Sequence, residues 1–515
     1  MRKQIFKPYK QKQAMLLPPS LEEMIPEGHL VRVVDEMVER INKRILEKQY
    51  KGGGTSAYDP QMMLKVIVYA YTQQVFTSRK IAKELRENIN YMWLSGMSQP
   101  DHRTINRFRG KVMKEVIEEL FYGVLKELME AGYVNLESYF VDGTKIEANA
   151  NRYSFVWKKS TMKNKEKMQQ KVKEMLDKIE ELEAAEEELY GEKDLPEVGE
   201  GKTIDKEKLR EAAQRINERL EKKPKDKELK EAKKKLEKDF IPRMEKYEAY
   251  EKVFEGRNSF SKTDPDATFM RMKEDYMRNG QLKPGYNIQL GTQNQFIMGY
   301  SIHRRAGDTS CLKDHLEKCK TWLKKYPKKI IADAGYGSEE NYTYMTQNGM
   351  EPFVKYNTFH YERKRNYKQK KPYRVENFEY FPETDEYQCP QGKRLVFQST
   401  QKYTSENGFS SDRRIYECED CSGCPVKEQC TRSQFNRTIR IGIQLEQLKK
   451  QARENLDSPE GLALRSKRPV EVEAVFGRLK HNWAFRRFLL RGLENVNTEW
   501  GILCIAHNIS KAAVL

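Results

Sequence analysis

The sequence predicts a mixed α/β protein with a helical N-terminal region and two insertions, and three observations carry that expectation. Short hydrophobic runs edged by Gly, Asp and Asn occur at SYFVDGT, GYNIQLGTQ, QFIMGYSIHR and KKIIADAG, with the helical pattern CLKDHLEKCKTWLKKY among them. Apolar residues recur at helical spacing through much of 14–130. A stretch from about Asn164 to Tyr250 is built mainly from Lys, Glu, Leu and Ala, again with helical periodicity.

At 515 residues and 38% hydrophobic content, the chain is long enough for about three domains and apolar enough for a large core. Disorder is therefore excluded as a whole-chain description. Lys and Arg outnumber Asp and Glu by 95 to 77, a formal charge of +18 that suits a polyanionic partner. The bases are clustered. Arg2, Lys3, Lys7, Lys10 and Lys12 occupy the first thirteen residues without an acid, and YERKRNYKQKKPYR interleaves bases with Tyr361, Tyr367 and Tyr373. Basic side chains grip phosphate and aromatic rings stack on bases, whereas the plain alternative is a solvated face. No run reaches the ~20 apolar residues of a membrane span, so a cytoplasmic protein with no membrane partner is expected.

In chain order, PQMMLKVIVYAYTQ, SRKIAKELREN and HRTINRFRGKVMKEVIEELFYGVLKELMEAG read as helices. Ser78 can cap a helix carrying Ile81, Ala82 and Leu85; a Gly-Met-Ser-Gln-Pro turn follows, and Asp101 can cap the next helix. That helix would expose His102, Arg103, Asn106, Arg107 and Arg109, the composition of a DNA recognition helix, although a basic face on an ordinary bundle has the same pattern. Beyond Asp142, Met168, Val172, Met175, Ile179, Leu182 and Leu189 predict a coiled-coil arm. YGEKDLPEVGEGKT breaks it, Leu209, Ala213, Ile216 and Leu220 mark a second helix, and Pro224 precedes a third run with Leu229, Leu236 and Phe240. An antiparallel helical hairpin is the simplest arrangement. The later strand runs then place Asp142 and Asp333 at strand ends of one sheet, and TEWGILCIAHNISKAAVL closes the chain as an amphipathic helix.

The chemistry rests on three acids. Asp142 and Asp333 each end a hydrophobic run and precede small residues, in VDGT and ADAGYGS, which would leave a metal and a phosphate room at the backbone. Glu473 lies in VEVEAVFGRLKHN, where ~100° per residue aligns Glu473, Gly477 and Lys480 along one edge. Val472, Val475, Phe476, Leu479 and Trp483 form the buried stripe, and Glu471 flanks the other side. Convergent carboxylates hold hard divalent cations, which bridge phosphate oxygens, so the arrangement points to phosphoryl transfer on nucleic acid. Singly, a turn-capping aspartate or a surface ion pair is the simpler reading of each acid, and it is the three contexts together that favour chemistry.

Five of the eight cysteines lie between 389 and 430, as Cys389, Cys418, Cys421, Cys424 and Cys430. Four thiolates satisfy tetrahedral zinc; the Cys-x2-Cys-x2-Cys run also suits an iron-sulfur cluster, but here Pro follows the third cysteine. Cys311, Cys319 and Cys504 fall in helical patterns and read as core residues.

Taken together, YDPQMMLKVIVYAY with SRKIAKELREN, VDGTKIEANANRYSFVWKKS, IADAGYGSEEN and VEAVFGRLKHN resemble the motifs of bacterial insertion-sequence DDE transposases with an InsH-like N-terminal domain and a cysteine-rich insertion. The resemblance spans nearly the whole chain. It implies an RNase H-like catalytic core that cuts and joins DNA at the ends of its own element, using two Mg2+ or Mn2+ ions. Asp142, Asp333 and Glu473 match the metal-binding triad, and Lys480 matches the basic residue seven positions after the glutamate. A zinc-ribbon-like element is implied with Cys389, Cys421, Cys424 and Cys430 as ligands and Cys418 as competitor. Where the wider superfamily carries Tyr and Arg upstream of the glutamate, this chain has Ser466 and Pro469, with Arg465, Lys467 and Arg468 nearby.

The implied layout is an N-terminal all-α DNA-binding domain over 1–130, the core at 131–157 and 256–355, a coiled-coil hairpin at 158–255, a basic zinc-ribbon-like insertion at 356–440, and a C-terminal helical part of the core at 441–515. Arg103, Asn106, Arg107 and Arg109, with Arg363, Lys364, Arg365, Lys370 and Lys371, are the expected DNA contacts. The expected partners are double-stranded DNA, as terminal inverted repeats and target, and a second copy of the chain on the bacterial nucleoid. A DNA-binding derivative without catalysis and a nuclease that hydrolyses without joining are the alternatives.

Overall fold

The structure is a computed structural model that describes residues 19–50, 52–53, 56–190, 205–272, 280, 282–405 and 407–514, without the side chains of 180–190. The basic N-terminal run, the 191–203 part of the inter-helix turn, and the burial expected of Leu182 and Leu189 lie outside the described residues.

The mixed α/β expectation holds. The helix Pro60–Thr72 starts at Asp59, whose carboxylate accepts from the Gln61 and Met62 amides, with Pro60 in the first turn. Its interior is apolar nearly all round and is buried accordingly, with the one charge, Lys65, held by Asp35 and Glu39. The helix Ser78–Glu87 is capped by Thr77, not by Ser78, which is buried inside the first turn. A further short helix, Ile89–Leu94, precedes the turn at Gly96 and Met97, both of which have positive φ. Asp101 caps His102–Arg107 as expected, but that helix runs through a π turn, Phe108–Val112, directly into Met113–Glu130. The expected recognition helix is thus the first part of a longer helical run.

The main sheet begins with β1 (Ser138–Glu147). The short β2 (Phe155–Trp157) and β3 (Ser259–Ser261) pair with each other, bracketing the helical arm at its base. β4 (Thr268–Arg271), β5 (Leu282–Gln293) and β6 (Phe296–His303) return to the sheet, followed by β7 (Lys329–Ala332) and β8 (Glu351–Val354). The order is β4-β5-β1-β7-β8, with β6 also on β5. β1 is antiparallel to β5, and β5 to β6, whereas β1, β7 and β8 run parallel. Helices cover the parallel half, as parallel pairing requires.

The inserted arm departs from a simple hairpin. Lys158–Tyr190, Lys206–Lys222 and the run Lys227–Lys235 through Ile241–Phe254 share one apolar core of Met168, Val172, Ile179, Leu209, Ile216, Leu236 and Met244. Three helical segments close this core because Pro224 only turns the chain, and the residues after it keep an apolar stripe that must be covered.

The cysteine-rich insertion forms a second sheet from β9 (Glu379–Phe381), β10 (Glu386–Gln388), β11 (Arg394–Thr404), β12 (Ser410–Cys418) and β13 (Thr438–Ile441), paired in sequence order. The last helix, Leu493–Ala512, is not amphipathic: from Thr498 to Ser510 every residue is buried, among the N-terminal helices and β6. No helix among the described residues is long and apolar enough to cross a membrane.

Candidate active site

Parallel pairing of β1 with β7 sets the first relationship in the site. Phe140 is in register with Ile331, so Asp142 and Asp333, each two residues on, stand side by side. Asp142 differs from expectation in one respect. It lies mid-strand, because β1 continues to Glu147 against β5, with Asp142 opposite Leu290. β7 does end at Ala332, and Asp333 turns the chain by accepting from the Gly335 amide at 2.8 Å.

Glu473 arrives on the helix Val472–Gly477, which buries Val472, Val475 and Phe476 and continues into the π turn Arg478–Asn482, where Leu479 is buried. Each of these four apolar side chains contributes roughly 2 kcal/mol of burial, enough to fix the helix on the sheet. Residues 486–488 then run along the end of β1, with the Phe488 amide 2.9 Å from the Glu147 carbonyl. Lys480 is only 7% exposed, and its Nζ lies 3.2 Å from Thr144 Oγ1. Thr144 is two residues from Asp142 and so on the same strand face. Gly477 meets nothing within 4 Å of where a Cβ would stand, leaving open space on the glutamate side of the helix. Glu471 is separated from this group: it is buried and accepts from the Gln295 amide at 2.8 Å.

The three acids converge on one guanidinium. Arg468 places one terminal nitrogen 3.1 Å from Asp142 Oδ1 and 3.8 Å from Asp333 Oδ2, and the other 2.8 Å from Glu473 Oε1. Its side chain is 12% exposed, as is expected of a charge held among opposite charges. Lys355, which follows β8, sits close by: burial lowers its pKa, with Arg468 and Arg465 acting the same way and Asp333 and Glu473 opposing them.

Gly143, beside Asp142, and Gly337, past Asp333, serve the protein's own packing. On the opposite face from Asp142, a Cβ at Gly143 would stand 2.5 Å from Asp308 Oδ1 and from Gln289 Nε2. Asp308 accepts there from Asn287 and Gln289, and Tyr336, just past Asp333, donates to Gln289. At Gly337 a Cβ would fall 2.3 Å from the Lys355 carbonyl. The expectation of space for a metal is thus corrected at Gly143, where Asp308 and Gln289 fill it, whereas at Gly335 a Cβ would meet only the Asp333 carboxylate itself, at 3.0 Å.

Of the residues expected to meet DNA, Arg103, Asn106 and Arg107 are exposed. Arg109 is not: at 3% exposure it donates to Tyr71 Oη, the Phe76 carbonyl and Asn106, and it faces the buried Glu499. Arg109 lies one turn after the buried Ile105 and next to the buried Phe108, so helical spacing itself places it on the inner face, away from Arg103 and Arg107. Arg363, Lys364, Arg365, Lys370 and Lys371 are all exposed, although Arg363 pairs with Asp457 at 2.7 Å. Nearby, the Tyr361 and Tyr367 rings stack at 5.9 Å.

All five clustered cysteines line one cavity of about 20 Å³, together with Tyr373, Lys393 and Arg437. Burial and the neighbouring Cys421 and Cys389 push the Cys418 thiol up to about 12. Cys311, Cys319 and Cys504 are buried, as their helical setting predicts. Among the described residues, no three His, Cys, Asp or Glu side chains are drawn into a ligating arrangement, at the cysteines or at the acids.

Sequence reasoning missed Thr144, Lys355 and Asp308 as neighbours of the acids. Thr144 was signalled by the two-residue strand period, and Lys355 by its place after the strand next to that of Asp333. Asp308 carried no local signal.

The Transposase DDE domain family matches residues 388–513, which contain the cysteine cluster, Arg468, Glu473 and Lys480. The Transposase domain (DUF772) family matches residues 19–111, the N-terminal helices. Asp142 and Asp333 lie outside both matches, and no curated protein matches the chain.

Proposed function

We propose that this chain, an insertion-sequence DDE transposase, carries out metal-dependent DNA cleavage and strand transfer at Asp142, Asp333 and Glu473. The observation that carries the assignment is the convergence of all three carboxylates on the single Arg468 guanidinium, from elements separated by the arm and the cysteine-rich insertion. Enzymes of this kind use divalent ions, and the donor set fits them: three carboxylates offer only oxygen, the ligand that Mg2+ and Mn2+ prefer. Two bound ions would supply an activated attacking oxygen and stabilise the leaving 3′-oxygen.

The chain's own residues do the positioning. Asp142, fixed mid-strand, and Asp333, fixed by its turn, hold two carboxylates at one level of the sheet. Glu473 brings the third from the side and is half-exposed. Lys480, tied to Thr144, and Lys355 place positive charge where phosphate oxygens approach, and no side chain is needed as nucleophile. The strand order, three antiparallel strands followed by two parallel ones, supports an RNase H-like core.

In this reading Arg103, Asn106 and Arg107 of the N-terminal domain and Lys364, Arg365, Lys370 and Lys371 of the insertion contact DNA, and two copies act together because two element ends must be joined. The cysteine cavity suits a structural zinc, with Cys389, Cys421, Cys424 and Cys430 as ligands and Cys418 in competition. A supercoiled plasmid carrying the element's ends, incubated with the protein and Mg2+ or Mn2+, tests the assignment. Cleavage at the ends followed by joining of a labelled end to target DNA is expected; end binding without any cleavage would reject it, and hydrolysis without joining would reduce it to a nuclease.

A further inference from the structure

We propose that Arg468 competes with divalent cations for the acidic triad and thereby sets the metal affinity of the site. The inference rests on the reading of Asp142, Asp333 and Glu473 as the metal-binding acids.

Its physical basis is that both cations need the same lone pairs. A guanidinium hydrogen-bonded to Glu473 at 2.8 Å and ion-paired with Asp142 at 3.1 Å and Asp333 at 3.8 Å takes up the carboxylate oxygens a metal would bind. Either ligand relieves the repulsion among three converging negative charges, but the divalent ion does so with twice the charge. Arg468 therefore supports the convergent geometry and must leave for the metal to enter. The seat also satisfies the guanidinium incompletely, because its buried Nε has no hydrogen-bond partner. Displacement exchanges a partly satisfied charge for a better matched one. The residue lies in the short connection Arg468–Val470 between two helices, so its side chain can turn out without moving the sheet.

Neighbouring positive charge alone would also weaken metal binding, through space. Arg465 separates the two effects. It lies near the site, pairs loosely with Asp457 at 3.9 Å, and stacks near Phe359 instead of touching the triad.

The test measures Mn2+ binding to the full-length protein without DNA, by loss of the free-ion paramagnetic resonance signal and by the Mn2+-dependent rise in Tm. Arg468→Gln is expected to bind Mn2+ at least about tenfold more tightly than the unmodified chain, with Arg468→Lys between them, because Lys keeps the charge but loses the fork. Arg465→Gln should change affinity less than about threefold. Equal or weaker binding by a folded Arg468→Gln, or by Arg468→Lys should the first variant not fold, overturns the inference, as does an equal gain in Arg465→Gln. Asp142→Asn distinguishes the layers: if it binds Mn2+ like the unmodified chain, the triad is not the metal site and both readings fall. If it loses binding while Arg468→Gln is unchanged, only the competition fails.

Discussion

Lys480 Nζ lies 3.2 Å from Thr144 Oγ1, joining the turn after the glutamate helix to the strand face that presents Asp142. The contact fixes how the third acid meets the first two, since the segment bearing Glu473 is otherwise held to the sheet by apolar packing and by the strip at 486–488. Lys480→Met keeps the length of the side chain and removes the charge and the hydrogen bond. Strand cleavage is expected to fall by on the order of a hundredfold, the scale of losing one aligned electrostatic group. Thr144→Val should lose less, and a cleavage rate unchanged in both variants would remove Lys480 from the site.

Asp142→Asn, Asp333→Asn and Glu473→Gln each remove one charge while keeping shape. Cleavage of plasmid bearing the element ends should drop by on the order of a thousandfold or more in each. Gel-shift binding of the ends should stay within a few fold, because the proposed DNA contacts lie on the N-terminal helices and the insertion. Full cleavage by any one of the three would show that the convergent carboxylates are not the reacting centre.

Arg103 and Arg109 lie six residues apart in one helical run, with opposite environments. Arg103→Ala, at an exposed position, should leave Tm nearly unchanged, weaken DNA binding and reduce its dependence on salt by about one charge. Arg109→Met should instead cost about 3 kcal/mol of stability, by orphaning Tyr71, the Phe76 carbonyl and Glu499. Thermal unfolding and a salt titration of binding, run on both variants, compare the two; equal effects on Tm would contradict the burial of Arg109.

Burial pushes the Glu499 carboxyl up to about 7, against Arg109 and the Leu490 and Leu489 amides, which pull it down. An acid with a raised folded pKa binds its proton more tightly in the folded state. Stability is therefore lost as pH rises from the ordinary carboxyl range to about 7, and the loss is complete above that. Glu499→Gln mimics the protonated form and keeps an acceptor for both amides. It should raise stability at pH 8 by up to about 3 kcal/mol and by almost nothing at pH 4. His303 and His315, held down at about 4 and about 3 by burial, act in the opposite sense, so acid unfolding should set in as pH falls below the ordinary histidine range.

Removal of metal from the cysteine-rich insertion should lower its stability. Stoichiometric zinc in purified protein, with a fall in Tm on chelation, is expected if four of the five thiols hold it. Cys421→Ser should reproduce the fall, whereas stoichiometric iron with a visible absorption band would replace zinc with an iron-sulfur cluster.

Much of this arrangement was legible in the residues themselves. Hydrophobic period and strand-edge composition located β1, β5, β6 and β7, Asp101 marked its helix start, and the arm announced itself through a regular apolar stripe. These are local signals, set by side-chain alternation and capping within a few residues. The acids were recognisable for the same reason: their flanking segments carry the pattern of a strand turning or of a helix face.

What only the tertiary structure decided depends on register and on breaks in regularity. Parallel pairing of Phe140 with Ile331 put Asp142 beside Asp333 across nearly two hundred residues, and mid-strand placement of Asp142 followed from pairing with β5, which no local pattern contains. Arg109 went into the core and not onto the expected DNA face, because it shares the inner side of its helix with Ile105 and Phe108 and finds partners there in Tyr71 and the Phe76 carbonyl. The glycine at 143 proved to accommodate Asp308, and Arg468, reached only through a kink between two helices, proved to be the cation on which all three acids close. The sequence determined which residues could do the chemistry; long-range pairing, which local propensity does not encode, determined which of them meet.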